Sequence, residues 1–364
     1  MIPFNDLRRQ NELLAGELSS AISNVINSGW YILGEEVEAF EDDFADFLGI
    51  DHCIGVASGT DAIQLALMGL GIGHGDEVIT AANTCVPTVA GISATGATPV
   101  LADVCGATLT LDADSVAHAI TPRTRAIVPV HLYGHPCDMA ALASTVHGKD
   151  IFIVEDCAQA HGTFYNDDLC GTLGHCAAFS YYPTKNLGAL GDGGAVITDN
   201  ADTAKRIRGL RQYGRAEGYD HPRPGINSRL DEMQAAVLRV KLQYLNDADE
   251  LRREIASSYD DNIKNDYIAL MKPAEWATTN HHLYVVRSPH RDALQQHLTT
   301  NGIHTQIHYP APIHLLTAYR ELGESGAFPV SERACEEVLS LPLYPGMPES
   351  HVDAVIDRVN KFRP

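Results

Sequence analysis

Between about residues 52 and 200, short apolar runs alternate with stretches whose apolar residues recur at helical spacing. "HCIGVA" reads as a strand and precedes a helical "TDAIQLALMGL". "EVITA", "TPVLADV", "CAAFSYY" and "GAVITD" read as further strands. "AIVPVHL" and "IFIVED" are near-continuous apolar runs, as expected of parallel strands covered on both faces. The alternation predicts a doubly wound, mainly parallel α/β sheet. "DEMQAAVLRVKLQYL" predicts a helix with Met233, Val237, Val240 and Tyr244 along one side, widened by Leu238, Leu242 and Leu245. After about residue 248 the pattern changes. "HHLYVVR", a helical "DALQQHLTTNG" and a strand-like "IHTQIHY" predict a smaller α+β unit. It closes on "HVDAVIDRVNKF", which groups Val352, Val355, Ile356 and Val359. The expected division is a large domain over residues 1–248, with an N-terminal arm, and a small domain over 249–364.

The chain has 364 residues, enough for both units. Its net charge of −21 would repel nucleic acid and anionic lipid, so neither is an expected partner. "VPTVAGISATGATPVLADV", the most apolar long window, is broken by proline, glycine and an acid and does not read as a membrane span. The first residues contain early acids and no apolar core, so no signal peptide is expected. Eight cysteines occur without a C-x-x-C pair, which suggests no disulfide framework. A reduced, cytoplasmic setting is expected.

Three stretches carry chemistry. In "CIGVASGTDAIQLAL" a strand ends, Ser58-Gly59-Thr60 turns, and a helix opens. Free amides and the positive end of the helix dipole favour a phosphate there, and Gly59 lets the backbone approach closely. Ser58 and Asp61 equally fit a plain helix cap. In "DIFIVEDCAQAHG" a buried strand delivers Glu155 and Asp156 to the sheet edge where ligands bind. Adjacent strand residues face opposite ways, so one of the two faces a site. A metal centre with His161 lacks a second ligand cluster at helical spacing, so no metal is expected. The pairs His131/His135 and His281/His282 read as structural.

The third stretch is "FSYYPTKNLGALGDGGAVIT". Pro183 fixes φ and keeps Tyr182 extended, so the chain turns at Thr184-Lys185. A lysine packed among aromatics and shielded from water loses ammonium stability and becomes a nucleophile toward carbonyls. A surface lysine snorkelling over an aromatic strand is the plainer alternative. The many glycines that follow favour close backbone approach instead. Phosphate turn, carboxylate and lysine together suit pyridoxal 5′-phosphate. Its phosphate wants a helix N-terminus, its ring nitrogen a carboxylate, and its aldehyde a lysine. The carboxylate–pyridinium hydrogen bond is worth about 1.5–3 kcal/mol.

With "PVHLYG" and "NSRLDEMQAAVLRVKL" added, these blocks resemble the DegT-type sugar aminotransferases of pyridoxal-phosphate fold type I, in motif order and over nearly the whole chain. The resemblance implies that Lys185 bonds the cofactor aldehyde and shuttles a proton, and that Asp156 pairs with the ring nitrogen. Gln159 would contact the phenolic side. Gly59, Thr60 and Asp61 would form the phosphate turn, with Ser180 reaching the same group. Asn227 in "GINSRLDE" would be lent to the phosphate by a neighbouring subunit, which implies a homodimer with shared sites. One position departs. Many members place a ring-stacking aromatic in the block that here reads "AANTCVPT", where this chain has Cys85. A dehydratase branch replaces the lysine by histidine, and Lys185 places this chain with the transaminases.

"NSGWYILGEEVEAFEDDFA" and "IHTQIHYPAPIHL" look most like the branch that aminates C3 of nucleotide-linked, dTDP-type 3-keto-6-deoxyhexoses, with glutamate as donor. Amination at C4, or of a keto-cyclitol, uses the same machinery. Arg229, His308 and Tyr309 are the candidate substrate contacts. "KRIRGLRQYGR" puts Lys205, Arg208, Arg211 and Arg215 on one helical face, for a diphosphate or for solvent. A nicotinamide dehydrogenase would need G-x-G-x-x-G, and "GLGIGHG" fails at the last glycine. A regulatory or scaffolding protein on this fold would be expected to lose Lys185 or Asp156, and both are present.

Overall fold

A computed structural model describes all residues, 1–364. Its main sheet contains β1 (His52–Val56), β2 (Glu77–Ala81), β3 (Thr98–Ala102), β4 (Thr124–Val128), β5 (Phe152–Asp156), β6 (Cys176–Ser180) and β7 (Gly194–Thr198). Their order across the sheet is β1-β7-β6-β5-β4-β2-β3. All neighbours are parallel except β7, which runs antiparallel to both β1 and β6. The carboxyl ends of β1, β2, β4, β5 and β6 therefore share one edge.

Period-two alternation sorts each strand between two cores. Val78, Ala126, Val128, Val154 and Ala178 pack with Ala62, Leu65 and Ala66 of the Gly59–Gly69 helix and with Ile207. Ile79, Ile127, Ile153, Ala177 and Phe179 face the opposite layer, where Phe40 and Phe44 of the Glu35–Leu48 helix pack edge-on against Tyr181. The same parity puts Asp156 with Val154, on the side of the Gly59–Gly69 helix. Glu155 falls with Ile153 on the other side.

The helix predicted over "DEMQAAVLRVKLQYL" spans Glu232–Leu242, and a second helix, Leu245–Asn262, starts where that stretch ends. The buried side of the first helix is Ala235, Ala236, Val237 and Leu238, whereas Met233 and Val240 are half-buried and Tyr244 is exposed. The neighbouring Ala15–Ser28 and Glu35–Leu48 helices both pack on it, so small residues replace the expected stripe at the contact. Residue 248 lies within the second helix, so no loop marks the change of pattern there.

The smaller sheet is antiparallel: β8 (Ala269–Leu270), β9 (Tyr284–Arg287) and β10 (Val338–Leu341), in that order. Val352, Val355 and Val359 of the Glu349–Lys361 helix close its core as the pattern predicts, with Ile356 at the margin. "IHTQIHY" is not a regular strand. It makes only isolated bridges, Ile303 to Ile2 and Gln306 to Ser340. The prolines at 310 and 312 follow at once, and β10 holds the paired position beside β9.

Candidate active site

The shared carboxyl edge opens into a cavity of about 540 Å³. Ser58, Gly59 and Thr60 line it after β1, Cys85 and Thr88 after β2, and Asp156 and Gln159 at the end of β5. Ser180 and Lys185 close it after β6, and Gln306, His308 and Tyr309 come from the smaller unit. A larger cleft, about 970 Å³, lies between Gly106 and Arg333 and holds none of the residues expected from sequence.

Lys185 occupies the predicted turn, its amide donating to the Tyr182 carbonyl at 2.8 Å. The loop is tied at its base by Ala189 N–H to Tyr181 O, and from outside by Lys241 Nζ to Gly188 O, both 2.8 Å. Lys185 Nζ has no protein hydrogen-bond partner, and the side chain lines the cavity. Burial pushes its ammonium below the usual lysine range, partly opposed by Asp156 and Cys85.

Asp156 is held by two donors. Thr88 Oγ1 donates to Oδ2 at 2.8 Å and the Ala158 amide to Oδ1 at 3.1 Å. Thr88 in turn lies 2.8 Å from the Thr84 hydroxyl, which fixes its direction. Burial raises the carboxyl, and the Thr88 hydroxyl, the Ala158 amide and Lys185 pull it back. Gln159 Oε1 accepts from the Tyr133 amide at 2.6 Å, so Nε2 turns outward and reaches Tyr309 Oη at 3.3 Å.

At the phosphate turn Ser58 caps the Gly59–Gly69 helix, its Oγ accepting the Asp61 amide at 3.1 Å. The Gly59 and Thr60 amides have no protein acceptor. A Cβ on Gly59 would stand 2.6 Å from Ser180 Cβ, and one on Gly194 would stand 2.5 Å from the Ser58 carbonyl. Only glycine lets these three chain segments meet.

The structure corrects four expectations. Asp61 does not line the cavity; its carboxylate accepts from Ser228 Oγ at 2.6 Å and its amide is used by the cap. Arg229 is half-buried and does not line this chain's cavity, whereas Asn227, expected to serve a neighbouring subunit, is exposed outside it. The basic face is divided: Arg211 is buried against Glu41 and the Gly55 carbonyl, while Lys205, Arg206, Arg215 and Arg223 line a separate cleft. His282, read as structural, lines the cavity. Sequence reading also missed Thr88, whose only signal was a hydroxyl in the first turn after Cys85. Cys85 lines the cavity beside Tyr309, and burial raises its thiol against a hydrogen bond from that phenol. The position expected to be aromatic therefore carries a thiol, with Tyr309 from a distant part of the chain beside it.

A sequence profile described as the DegT/DnrJ/EryC1/StrS aminotransferase family matches residues 13–360. The chain belongs to that family. This aminotransferase is 47% identical over 363 residues to a dTDP-3-amino-3,4,6-trideoxy-alpha-D-glucose transaminase of Streptomyces venezuelae, covering 99% of this chain and 96% of that one. The solved DesV of S. venezuelae, in complex with a ketimine intermediate, matches with a TM-score of 0.97 at 47% identity over 99% and 98% of the two chains. NtdA of Bacillus subtilis, solved with bound cofactor PMP, matches with a TM-score of 0.92 at 28% identity over 98% and 84%. This aminotransferase is pyridoxal-phosphate dependent. Its cavity fits the cofactor: a partnerless amine, a fixed carboxylate and two free helix-start amides converge there.

Proposed function

We propose that this chain moves an amino group from glutamate to C3 of a dTDP-linked 3-keto-6-deoxyhexose. The observation that carries the reading is the convergence of Lys185, Asp156 and the Gly59–Gly69 helix start on one cavity. The likeness to a dTDP-3-amino-sugar transaminase supports C3 over C4 or a cyclitol.

Pyridoxal phosphate, when bound, supplies an aldehyde and a ring that withdraws electrons from a breaking C–H bond. This chain's residues supply the rest. Lys185 Nζ would be the nucleophile toward the cofactor aldehyde and, once displaced, would move a proton between the substrate carbon and the cofactor. Burial shifts its balance toward the neutral, nucleophilic amine. Asp156, oriented by Thr88 and Ala158, holds a negative charge where a protonated ring nitrogen needs one. The Gly59 and Thr60 amides, with Ser58 and Ser180, line the cavity and would hold the phosphate. Gln159 Nε2, turned outward by the Tyr133 amide, would face the phenolic side.

A homodimer with shared sites is part of the proposal. Asn227 stands exposed on a loop whose neighbour, Ser228, is pinned to Asp61. Trp30, Tyr31, Tyr182, Leu190 and Tyr213 are exposed apolar side chains that a second copy would cover. The eight free thiols suit the expected cytoplasmic setting.

The test loads the protein with the pyridoxamine form and adds a panel of nucleotide-linked keto-sugars. Return of the yellow absorbance with 3-keto-6-deoxyhexoses is expected. A response only to 4-keto sugars would sink the C3 assignment. Sedimentation showing only monomer would sink the shared site.

A further inference from the structure

Beside Lys185 runs a chain of buried polar groups that links both units of the molecule. Asn186 Nδ2 donates to Asp249 Oδ1 at 2.7 Å and to the Asn280 carbonyl at 3.1 Å. A backbone carbonyl can only accept, so the amide orientation of Asn186 is fixed. Its Oδ1 then faces His282 Nδ1 at 3.0 Å. An amide oxygen can only accept as well, so His282 Nδ1 carries the hydrogen. The backbone reinforces the pose: the His282 amide donates to Asn280 Oδ1 at 3.0 Å, and Asn280 Nδ2 donates to the Gln159 and His161 carbonyls at 3.1 and 2.8 Å.

The other ring nitrogen is left over. His282 is 8% exposed and lines the cavity, and its Nε2 has no protein partner. A partnerless acceptor on a buried side chain that lines a cavity suits a ligand that donates to it. We propose that His282 is a specificity-determining residue of this site, whose tautomer is locked by Asn186 and Asp249 so that Nε2 accepts a hydrogen bond from a hydroxyl of a carbohydrate substrate. This rests on the keto-sugar reading above and adds to it the group that recognises a sugar hydroxyl.

The ring serves as an acceptor, not as a base. Burial holds its imidazolium far out of reach, and Lys185, Arg252, His308 and His161 around it act the same way. Its neutral lone pair therefore selects donors such as hydroxyls and discriminates against a carbonyl or carboxylate oxygen at the same place.

The lock is tested on the protein itself, without turnover. In ¹⁵N-histidine spectra near pH 7, His282 should show a protonated Nδ1 and a bare Nε2, with its signals assigned by loss in His282→Gln. A protonated Nε2, or a fully charged ring, would overturn the proposal. Recognition is tested by calorimetry with an unreactive nucleotide-linked hexose. His282→Phe should weaken its binding about tenfold, and His282→Gln, which keeps an acceptor oxygen, should recover most of the loss. Equal binding by wild type and His282→Phe, or no binding to wild type, would overturn it. Hexose binding that depends on His282, in a protein that transaminates no keto-sugar, would uphold this assignment and overturn the functional reading instead.

Discussion

Two buried polar clusters flank the end of β5, and their difference locates the chemistry. On one side Glu155 accepts from the amides of Gly171, Leu173 and Gly174 at 2.9, 2.8 and 2.7 Å, and pairs with His131 Nε2 at 2.9 Å. His131 Nδ1 accepts the Cys137 amide at 3.0 Å. Both carboxylate oxygens and both ring nitrogens are used inside the protein. Cys157 Sγ also lies close enough for a metal-like cluster, yet the carboxylate already takes four donors and has no lone pair to offer. On the other side Asp156 takes only two donors, and Lys185 Nζ and His282 Nε2 take no protein partner at all. The two carboxylates are neighbours in sequence and equally buried. Burial alone does not separate a structural acid from a working one. The lone pairs and protons left unspent do.

Mutations should divide along the same line. Lys185→Ala is expected to cost at least about 10⁴-fold in activity and to abolish the cofactor's yellow band, with the unfolding midpoint little changed. Absorbance and turnover check it, and a retained band would erase the distinction between the two clusters. Glu155→Ala should do the reverse. It strands three amides and His131, costing about 3–5 kcal/mol in urea unfolding, while the folded protein stays yellow. Asp156→Asn should lower kcat about 10²–10³-fold with a much smaller loss of stability than Glu155→Ala.

Asp249 tests the far end of the His282 network. Burial pushes its carboxyl up to about 7, against its hydrogen bond from Asn186 and the pull of Arg252. A raised folded value means that this group's contribution is full below about pH 4 and is lost as pH rises through about 7. Asp249→Asn keeps an acceptor for Asn186. Its unfolding free energy should therefore gain on wild type by a few kcal/mol at most between pH 4 and 8, and a parallel pH profile would refute the assignment. The smallest effect is expected at Thr88→Val. Losing one donor to Asp156 should cost about 1 kcal/mol, or roughly fivefold in kcat, with cofactor still bound.

Much of this was legible in the chain. "EVITA" is β2 residue for residue, and "CAAFSYY" and "GAVITD" bracket the lysine loop as β6 and β7. Pro183 and the glycines after it announced the turn, and Gly59 announced the close approach that Ser180 makes. The failures share a cause. Asn186, Asp249, Asn280 and His282 are scattered over almost a hundred positions, and a histidine in "HHLYVVR" looks like any core histidine until its neighbours are known. "IHTQIHY" has the alternation of a strand but meets the outer edge of β10 only at Gln306, before Pro310 and Pro312 turn the chain away.

Local pattern determined which residues form strands, where the chain turns, and that Glu155 and Asp156 must point apart, because backbone geometry acts over a few residues. Which of the two faces the open cavity, which imidazole nitrogen stays bare, and which acids and bases are consumed internally were decided only when distant segments packed. Hydrogen-bond satisfaction is a property of the assembled neighbourhood, and no single stretch of chain contains it.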